Sequence, residues 1–198
     1  MIKAVIFDIG GVLVNKSPVL QEVLDEFSLK EEGIYYYYLA TLRKLEVGEI
    51  DEPEFWRLFT QEFNIKKPVP NPSPLIKRYQ KEIKVSSEVV SIKLELKKKG
   101  VLLAALSNTI TTHANHLKKL GVFNDFDLTI LSNEVGLLKP DPEIYKLVLL
   151  RLKVSPEEAI FIDDEPSYVK GAERIGINSF TFSNAEKLKK DLMEIRLL

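Results

Sequence analysis

Short apolar runs, each ending at polar or glycine residues, recur along the chain. The runs cover residues 2–7, 101–106, 126–131, 159–162 and 177–182. Continuous apolar segments rich in β-branched residues are typical of strands buried in a parallel sheet. The pattern therefore predicts four strands, with 126–131 as a weaker fifth candidate.

Helix signals follow these runs. One predicted helix begins at Thr111 or Thr112 and ends at Gly121. Another begins at Asp141-Pro142, and Pro166 begins a third, since proline is favoured in the first turn of a helix. The alternation of strand and helix predicts a parallel sheet covered on both faces, with right-handed crossovers.

Residues 15–85 break this alternation and read as helical throughout. Helical patterns follow Ser17-Pro18 (VLQEVLDEF), cover residues 34–48, follow Asp51 (FWRLFTQEF) and cover residues 75–83. Asp51 with Glu54 three residues later forms the signature of a capping box. Four prolines in the linker 66–74 (KKPVPNPSP) exclude a helix there. We expect an all-helical insert between the first strand and the rest of the sheet.

Composition narrows the class of protein. The chain has 198 residues, no cysteine, 28 Lys and Arg, and 29 Asp and Glu, for a formal charge of -1. This balance argues against nucleic-acid binding driven by bulk charge, and the missing cysteine excludes disulfide frameworks and thiolate zinc sites. The first apolar run is too short for a signal-peptide core or a membrane span. We expect a soluble, cytoplasmic protein without a nucleic-acid or membrane partner.

Polar residues stand directly after three of the predicted strands. They are Asp8, Ser107-Asn108 and Asp163-Asp164. Parallel strands bind ligands beyond their carboxyl ends, so these side chains are expected to share one crevice if the first strand is central. Three neighbouring carboxylates need a compensating cation, and a hard divalent ion such as Mg²⁺ prefers oxygen ligands. Mg²⁺ is therefore the expected cofactor.

The same crevice has the residues expected for a phosphate site. Gly10 and Gly11 allow backbone N–H groups to turn toward an oxyanion, and Ser107 with Asn108 can add further donors. Lys139 follows a glycine loop and precedes a helix, so its ammonium could reach the crevice. A cation there would offset both the aspartates and a bound phosphoryl group.

Four motifs of the chain resemble those of the haloacid dehalogenase-like (HAD) hydrolases. They are FDIGGVLV around Asp8, LSNT around Ser107, LLKPDPEIY around Lys139, and FIDDEPSYVKGAERIG around Asp163 and Asp164. The resemblance covers essentially the whole chain and is strongest to the group with a small helical cap after the first strand. It implies an α/β, Rossmann-like parallel sheet of order 5-4-1-2-3. The core would comprise residues 1–14 and 86–198, and the cap residues 15–85.

The resemblance also implies a mechanism. Asp8 would attack phosphorus and form an aspartyl-phosphate that water then hydrolyses, with Lys139 neutralising charge. The metal would be held by Asp8, the backbone carbonyl of Gly10, Asp163 and Asp164.

Two positions depart from the family pattern. Gly10 stands where phosphatases of the family carry a second aspartate that protonates the leaving group, and Tyr168 stands where an asparagine is common. Loss of general acid–base catalysis typically costs about 10²–10⁴-fold in rate, so slow turnover is expected unless another group substitutes. His113 and His116 are candidates for that substitution, or are ordinary helix residues.

Other interpretations stay open at this point. The run Tyr35–Tyr38 and Trp56 could contact a substrate or pack inside the helical insert, and Asn15 could face the phosphate pocket at the hinge of the cap. The leading prediction is a magnesium-dependent phosphatase for a small phosphorylated metabolite. The alternatives are a metal-independent 2-haloacid dehalogenase and a phosphometabolite-binding protein that has lost turnover. The sequence predicts no oligomeric state.

Overall fold

The computed structural model describes all 198 residues and contains one five-stranded parallel sheet. The strands are β1 Ala4–Phe7, β2 Leu102–Ser107, β3 Leu128–Leu131, β4 Ala159–Asp163 and β5 Asn178–Thr181. Their order is β3-β2-β1-β4-β5. Counted from the other edge this is 5-4-1-2-3, so the predicted Rossmann-like α/β fold is confirmed, including the weaker strand candidate.

Ten helices surround or extend this sheet. They are α1 Val19–Phe27, α2 Tyr35–Glu46, α3 Glu52–Glu62, α4 Pro74–Glu82, α5 Ser87–Lys98, α6 Thr111–Lys119, α7 Ser132–Val135, α8 Pro142–Leu152, α9 Pro166–Glu173 and α10 Ala185–Glu194. None of them combines the length and the apolar character needed to cross a bilayer.

The two faces of the sheet are buried against different helices. Val5 and Phe7 belong to one apolar cluster with residues of α5 and α10, and Ala4 and Ile6 belong to another with residues of α8 and α9. Successive side chains of a strand point to opposite faces, and every residue of β1 is buried. This explains why the first apolar run shows no polar alternation.

The central position of β1 brings three strand ends together. Ala4 pairs with Leu102 of β2 on one side and with Ala159 of β4 on the other. Beyond the end of β1, the Asp8 amide donates to the Ile162 carbonyl at 2.8 Å. The residues after β1, β2 and β4 therefore lie at one edge of the sheet.

Helices α1 to α4 pack around an apolar cluster of their own. Its centre is aromatic: Phe55, Trp56 and Phe59 contact one another, and Tyr38 contacts Phe55 and Phe59. Edge-to-face and offset aromatic pairs of this kind add stability beyond the area they bury. The helical insert is thus observed as expected, while its limits as a separate domain stay a prediction.

The capping box predicted at the start of α3 forms only in part. The Asp51 carboxylate accepts from the Glu54 amide at 2.9 Å. The Glu54 carboxylate, however, accepts from Arg57 at 2.7 Å and does not return to the amide of Asp51. An exposed i,i+3 ion pair has replaced the second half of the box.

Two chain segments join the insert to the sheet, and they pair with each other. Val14 forms an antiparallel bridge with Val85. The Asn15 side chain accepts from the Lys84 amide at 2.6 Å and donates to the Glu82 carbonyl at 3.1 Å. Asn15 reaches the rim of the cavity described below, but its amide group serves to tie the outgoing segment to the returning one.

Candidate active site at the strand ends

Three carboxylates converge at the carboxyl edge of the sheet. Asp8 follows β1, Asp163 ends β4 and Asp164 follows it, and a ligand oxygen from each lies within 4.8 Å of the others. Asp8 is 6% exposed and Asp163 is fully buried. The convergence that the sequence predicted is therefore present in the structure.

A buried lysine joins two of these carboxylates. The Lys139 Nζ lies 2.7 Å from Asp8 Oδ1 and 2.6 Å from Asp163 Oδ2, and its side chain is 1% exposed. Burial by itself lowers the pKa of Lys139, but the charges of Asp8 and Asp163 outweigh it, so the pKa is raised. Burial raises the pKa of Asp8, and that of Asp163 to about 6, against the opposing charge of Lys139. The lysine is thus held in its charged form.

Asn108 and Tyr168 position this lysine. The Asn108 side chain donates to the Lys139 carbonyl at 3.0 Å and accepts from the Lys139 amide at 2.9 Å. The Tyr168 ring lies 5.0 Å from the ammonium, within the range of a cation–π contact. The Asn108 amide also donates to the Tyr168 hydroxyl at 3.4 Å. Tyr168 therefore supports Lys139 by its ring face.

A second lysine, which the sequence analysis did not single out, pairs with the third carboxylate. The Lys16 Nζ lies 2.5 Å from Asp164 Oδ2. Its only signal in the sequence is its place just beyond the glycine loop that follows β1. The three carboxylates and the two ammonium groups of Lys16 and Lys139 together carry a formal charge of -1.

Gly11 makes room for one of these carboxylates. Its φ is +90°, and a Cβ built there would lie 2.5 Å from the Asp164 carboxyl group. Its amide donates to the Val14 carbonyl at 2.6 Å. The prediction that this N–H faces a phosphate is therefore wrong: the loop uses the donor to close its own turn, and Gly11 serves the site by leaving space.

Two other backbone amides remain available beside Asp8. The N–H groups of Gly10 and Asn108 form no hydrogen bond within the chain, and both residues line the cavity. The Ser107 hydroxyl has only a 3.5 Å contact to the Asn108 carbonyl. The two amides point no donor at the rest of the chain, so they and the hydroxyl are free to bind an anion in the cavity.

The site opens into a cavity of about 340 Å³. The insert contributes Ser17, Val19, Glu46 and Tyr79 to its walls, opposite the strand-end residues. The run Tyr35–Tyr38 and Trp56 do not line it. Tyr38 borders an adjoining cavity of about 320 Å³ instead, and Trp56 packs inside the insert.

The two histidines have different places. His113 lies on the cavity wall, where its ring stacks on Tyr79 with centroids 3.8 Å apart and its Nε2 lies 2.6 Å from the Leu75 carbonyl oxygen. Since a carbonyl only accepts, Nε2 carries the proton. Burial lowers the pKa of His113 to about 4. His116 lines a separate cavity and not this one.

Comparisons with known proteins place this geometry in a family. A family profile described as haloacid dehalogenase-like hydrolase matches residues 2–176. The chain is a HAD-like hydrolase. A Phosphorylated carbohydrates phosphatase of Thermotoga maritima is 32% identical to it over 181 residues, covering 88% of this chain and 82% of that protein.

Solved structures agree with this assignment. A HAD family enzyme of Bacteroides thetaiotaomicron is 27% identical, with a TM-score of 0.81 over 92% of this chain and 94% of that one. The same enzyme in complex with magnesium and inorganic phosphate is 25% identical to this HAD-like hydrolase, with a TM-score of 0.73 over 92% and 95% of the two chains.

Proposed function

We propose that this HAD-like hydrolase is a magnesium-dependent phosphatase that acts on a small phosphorylated metabolite through an aspartyl-phosphate on Asp8. The buried contact of Lys139 with Asp8 and Asp163, next to two unpaired backbone amides, carries the proposal. A charged lysine and free N–H donors beside a carboxylate suit a nucleophile whose target is an anionic phosphoryl group.

The donor set fits magnesium. Asp8, Asp163 and Asp164 offer only oxygen ligands within 4.8 Å of one another, and the remaining formal charge of -1 favours a further cation. These side chains with the Gly10 carbonyl would hold the ion. When bound, it would neutralise charge on the phosphoryl oxygens. The magnesium and phosphate complex of the Bacteroides relative supports this choice.

The chain's own residues would divide the work of the first step. An Asp8 carboxylate oxygen attacks phosphorus while the Lys139 ammonium favours the ionised form of that carboxylate and holds it in place. The amides of Gly10 and Asn108, with the Ser107 hydroxyl, would donate to the phosphoryl oxygens. The bond to the leaving oxygen breaks, and water later hydrolyses the aspartyl-phosphate to regenerate Asp8.

The proposed substrate class follows from the size and polarity of the site. A cavity of about 340 Å³ lies at the small end of the range for ligand sites. The insert closes it with only a few side chains. A small phosphorylated metabolite fits this space, and the similarity to a phosphatase of phosphorylated carbohydrates supports the same class. The location in the cytoplasm stays a prediction from the sequence.

The test is release of inorganic phosphate from a panel of phosphorylated metabolites, with and without Mg²⁺. We expect Mg²⁺-dependent release that Asp8→Asn lowers by at least about 10³-fold, as is typical when a nucleophile is removed. Asp125→Asn is the matched control and should leave the rate unchanged. Asp125 is exposed, and asparagine tolerates the left-handed backbone conformation of this position.

Three outcomes would contradict the proposal. Undiminished activity of Asp8→Asn would exclude Asp8 as the nucleophile. Chloride release from a 2-haloacid without metal would favour a dehalogenase. Tight binding of a phosphometabolite in calorimetry, with no hydrolysis of any panel member, would identify a binding protein.

A further inference from the structure

Glu46 is a cavity-lining carboxylate that the proposed function leaves without a task. It ends α2 in the helical insert and lines the same cavity as Asp8, Gly10 and Lys139. It is only partly exposed, and its carboxylate forms no hydrogen bond or ion pair within the chain. Partial burial of a carboxylate without a partner costs free energy, so such a group is a candidate for a role in binding or catalysis.

The turn after α2 holds Glu46 against the sheet domain. Gly48 lies in this turn with φ +69°, and a Cβ built on it would lie 2.5 Å from the Asn133 carbonyl oxygen in α7. Only glycine permits so close an approach. The Val47 carbonyl also lies near Gly136, just beyond α7. Glu46 is therefore attached to the insert but positioned by contact with the core.

The space next to Asp8 is open toward the cavity. Gly10 has no side chain, and a Cβ built on it would meet no heavy atom within 4 Å. Residue 10 places no proton donor at this position, so a side chain that donates to the leaving group would belong to another wall. Glu46 belongs to the wall that the insert contributes.

The other carboxylates and the histidine of the cavity wall have partners already. Asp8 and Asp164 are paired with lysines, and the Glu165 carboxylate accepts from the Ser167 amide at 3.3 Å. His113 is bound to the Leu75 carbonyl and covered by a tyrosine ring. Glu46 is the carboxylate left free to face a substrate.

The surroundings of Glu46 favour the protonated form of its carboxyl group more than water does. Burial raises the pKa of Glu46, and the charges of Arg43 and Lys139 oppose this only in part. Its other titratable neighbours are the phenols of Tyr38 and Tyr168, whose own pKa values burial raises, with a smaller contribution from Glu46. Neither phenol adds a charge that would hold Glu46 ionised.

We propose that Glu46 is the general acid and base of phosphoryl transfer, in place of the aspartate that Gly10 lacks; this rests on the proposed phosphatase function. As Asp8 attacks phosphorus, the bond from phosphorus to the leaving oxygen breaks, and that oxygen takes the proton of Glu46. In the second step, water attacks the aspartyl-phosphate and gives a proton to Glu46. This hydrolysis releases phosphate, leaves Asp8 as a carboxylate again and leaves Glu46 protonated again.

The first test compares leaving groups in Glu46→Gln. With an alkyl phosphate, whose leaving oxygen needs a proton, we expect kcat/KM to fall by about 10²–10⁴-fold. With an activated aryl phosphate, whose phenolate leaves unprotonated, the pre-steady-state burst of phenol should keep its wild-type rate, followed by slow turnover. Glu49→Gln, in the same turn but exposed and outside the cavity, is the matched control and should behave as wild type.

The second test restores a carboxyl group from the opposite wall. On the alkyl phosphate, the double variant Gly10→Asp with Glu46→Gln should be at least tenfold more active than Glu46→Gln. Gly10→Asp alone is the reference that shows what the new aspartate does by itself. A Brønsted plot over a series of leaving groups should be steep for Glu46→Gln and shallow for the wild type and the double variant.

The outcomes separate this inference from the proposed function. If the wild type hydrolyses phosphates in an Asp8-dependent manner while Glu46→Gln keeps wild-type rates, or lowers kcat/KM on the alkyl phosphate and the burst rate on the aryl phosphate by the same factor, only the role of Glu46 is wrong. A double variant as slow as Glu46→Gln would also overturn it. If Asp8→Asn is as active as wild type, the proposed function itself fails.

Discussion

At the residue scale, the site depends on a few charges held in an almost dry environment. Lys139 is bound to Asp8 and Asp163 with its side chain 1% exposed. Removal of one partner from such a group leaves an uncompensated buried charge, which costs several kcal/mol in typical cases. Substitutions of these three residues therefore change stability as well as chemistry, and activity has to be measured beside a folding control.

His113 gives a pH-dependent contribution to stability. Its pKa is about 4 in the folded chain, below the ordinary value of 6.5, because it is buried. Between these values the unfolded chain binds a proton that the folded chain does not, so the free energy of unfolding falls as pH drops from 6.5 to 4, by at most about 3 kcal/mol. The contribution is fully present above pH 6.5.

Chemical denaturation from pH 4 to pH 7 measures this effect. We expect His113→Gln to be less pH-dependent in stability than the wild type over this range, and His116→Gln to resemble the wild type. The same slope in all three proteins would contradict the assigned burial of His113.

Gly11 is predicted to be required for the carboxylate arrangement. In Gly11→Ala the new Cβ would lie 2.5 Å from the Asp164 carboxyl group, in addition to the strain of a positive φ, which costs about 1–2 kcal/mol. Gly33→Ala is the matched control, because its φ is +80° and its Cβ would meet nothing within 4 Å.

Thermal unfolding and titration calorimetry with Mg²⁺ distinguish the two substitutions. We expect both to lower stability, and Gly11→Ala alone to weaken Mg²⁺ binding by at least about tenfold, equal to about 1.4 kcal/mol. Equal Mg²⁺ affinities would show that the position of Asp164 does not depend on this glycine.

At the element scale, the loop that carries Lys139 is held between β2 and α9. Asn108, at the end of β2, binds the Lys139 backbone on both sides. Helix α9 lies close on the other side, because Gly171 allows it to approach Pro140 and Tyr145. The position of the ammonium is thus set by packing between elements.

Substitution Gly171→Ala tests this packing. Alanine favours a helix over glycine by about 1 kcal/mol, but its Cβ would lie 2.8 Å from the Pro140 Cβ. Overpacking typically costs about 1–3 kcal/mol, so we expect a net loss of stability and a fall in kcat as the Lys139 loop shifts.

Thermal unfolding and phosphatase kinetics measure the two effects. Glu173→Ala, at an exposed position of the same helix, should leave both within error of the wild type. A Gly171→Ala protein that is more stable than the wild type would show that α9 does not constrain the loop.

At the scale of the whole molecule, the helical insert is the candidate for a separate domain. The insert has its own aromatic core, and Asn15 ties together the two segments that leave and re-enter the sheet domain. We propose residues 15–85 as a separate cap domain on this basis. The cap and the core meet at the cavity, so substrate specificity would depend on how they sit against each other.

Phe59→Ala tests the division into domains. Phe59 is fully buried in the insert, and loss of a buried phenylalanine costs about 3–5 kcal/mol. In Phe59→Ala, native-state hydrogen exchange should show lost protection in α1 to α4 and retained protection in β1, β2 and β4. In Phe161→Ala, a substitution in β4, the strands should lose protection instead. Equal loss throughout the chain in both variants would show a single cooperative unit.

The sequence by itself determined the buried parallel strands, and it predicted the convergence of the aspartates on the condition that the first strand is central, an order that the resemblance to the HAD-like hydrolases implied. Buried parallel strands are continuous apolar runs, and residues after such strands meet at one edge of the sheet, so Asp8, Asp163 and Asp164 could be placed from local patterns. The motif around Lys139 likewise predicted its position, since the loop before α8 lies at the same edge.

Only the tertiary structure decided which groups complete the site. Lys16 and Glu46 belong to no local pattern, because they reach the cavity through the path of the insert and its contact with the core at Gly48. Whether a backbone N–H is free depends on which carbonyl the fold brings near it. The sequence therefore could not show that the Gly11 N–H is bound to Val14 while the Gly10 N–H is free. These contacts are determined by long-range packing, and a local pattern of apolar and polar residues carries no information about such packing.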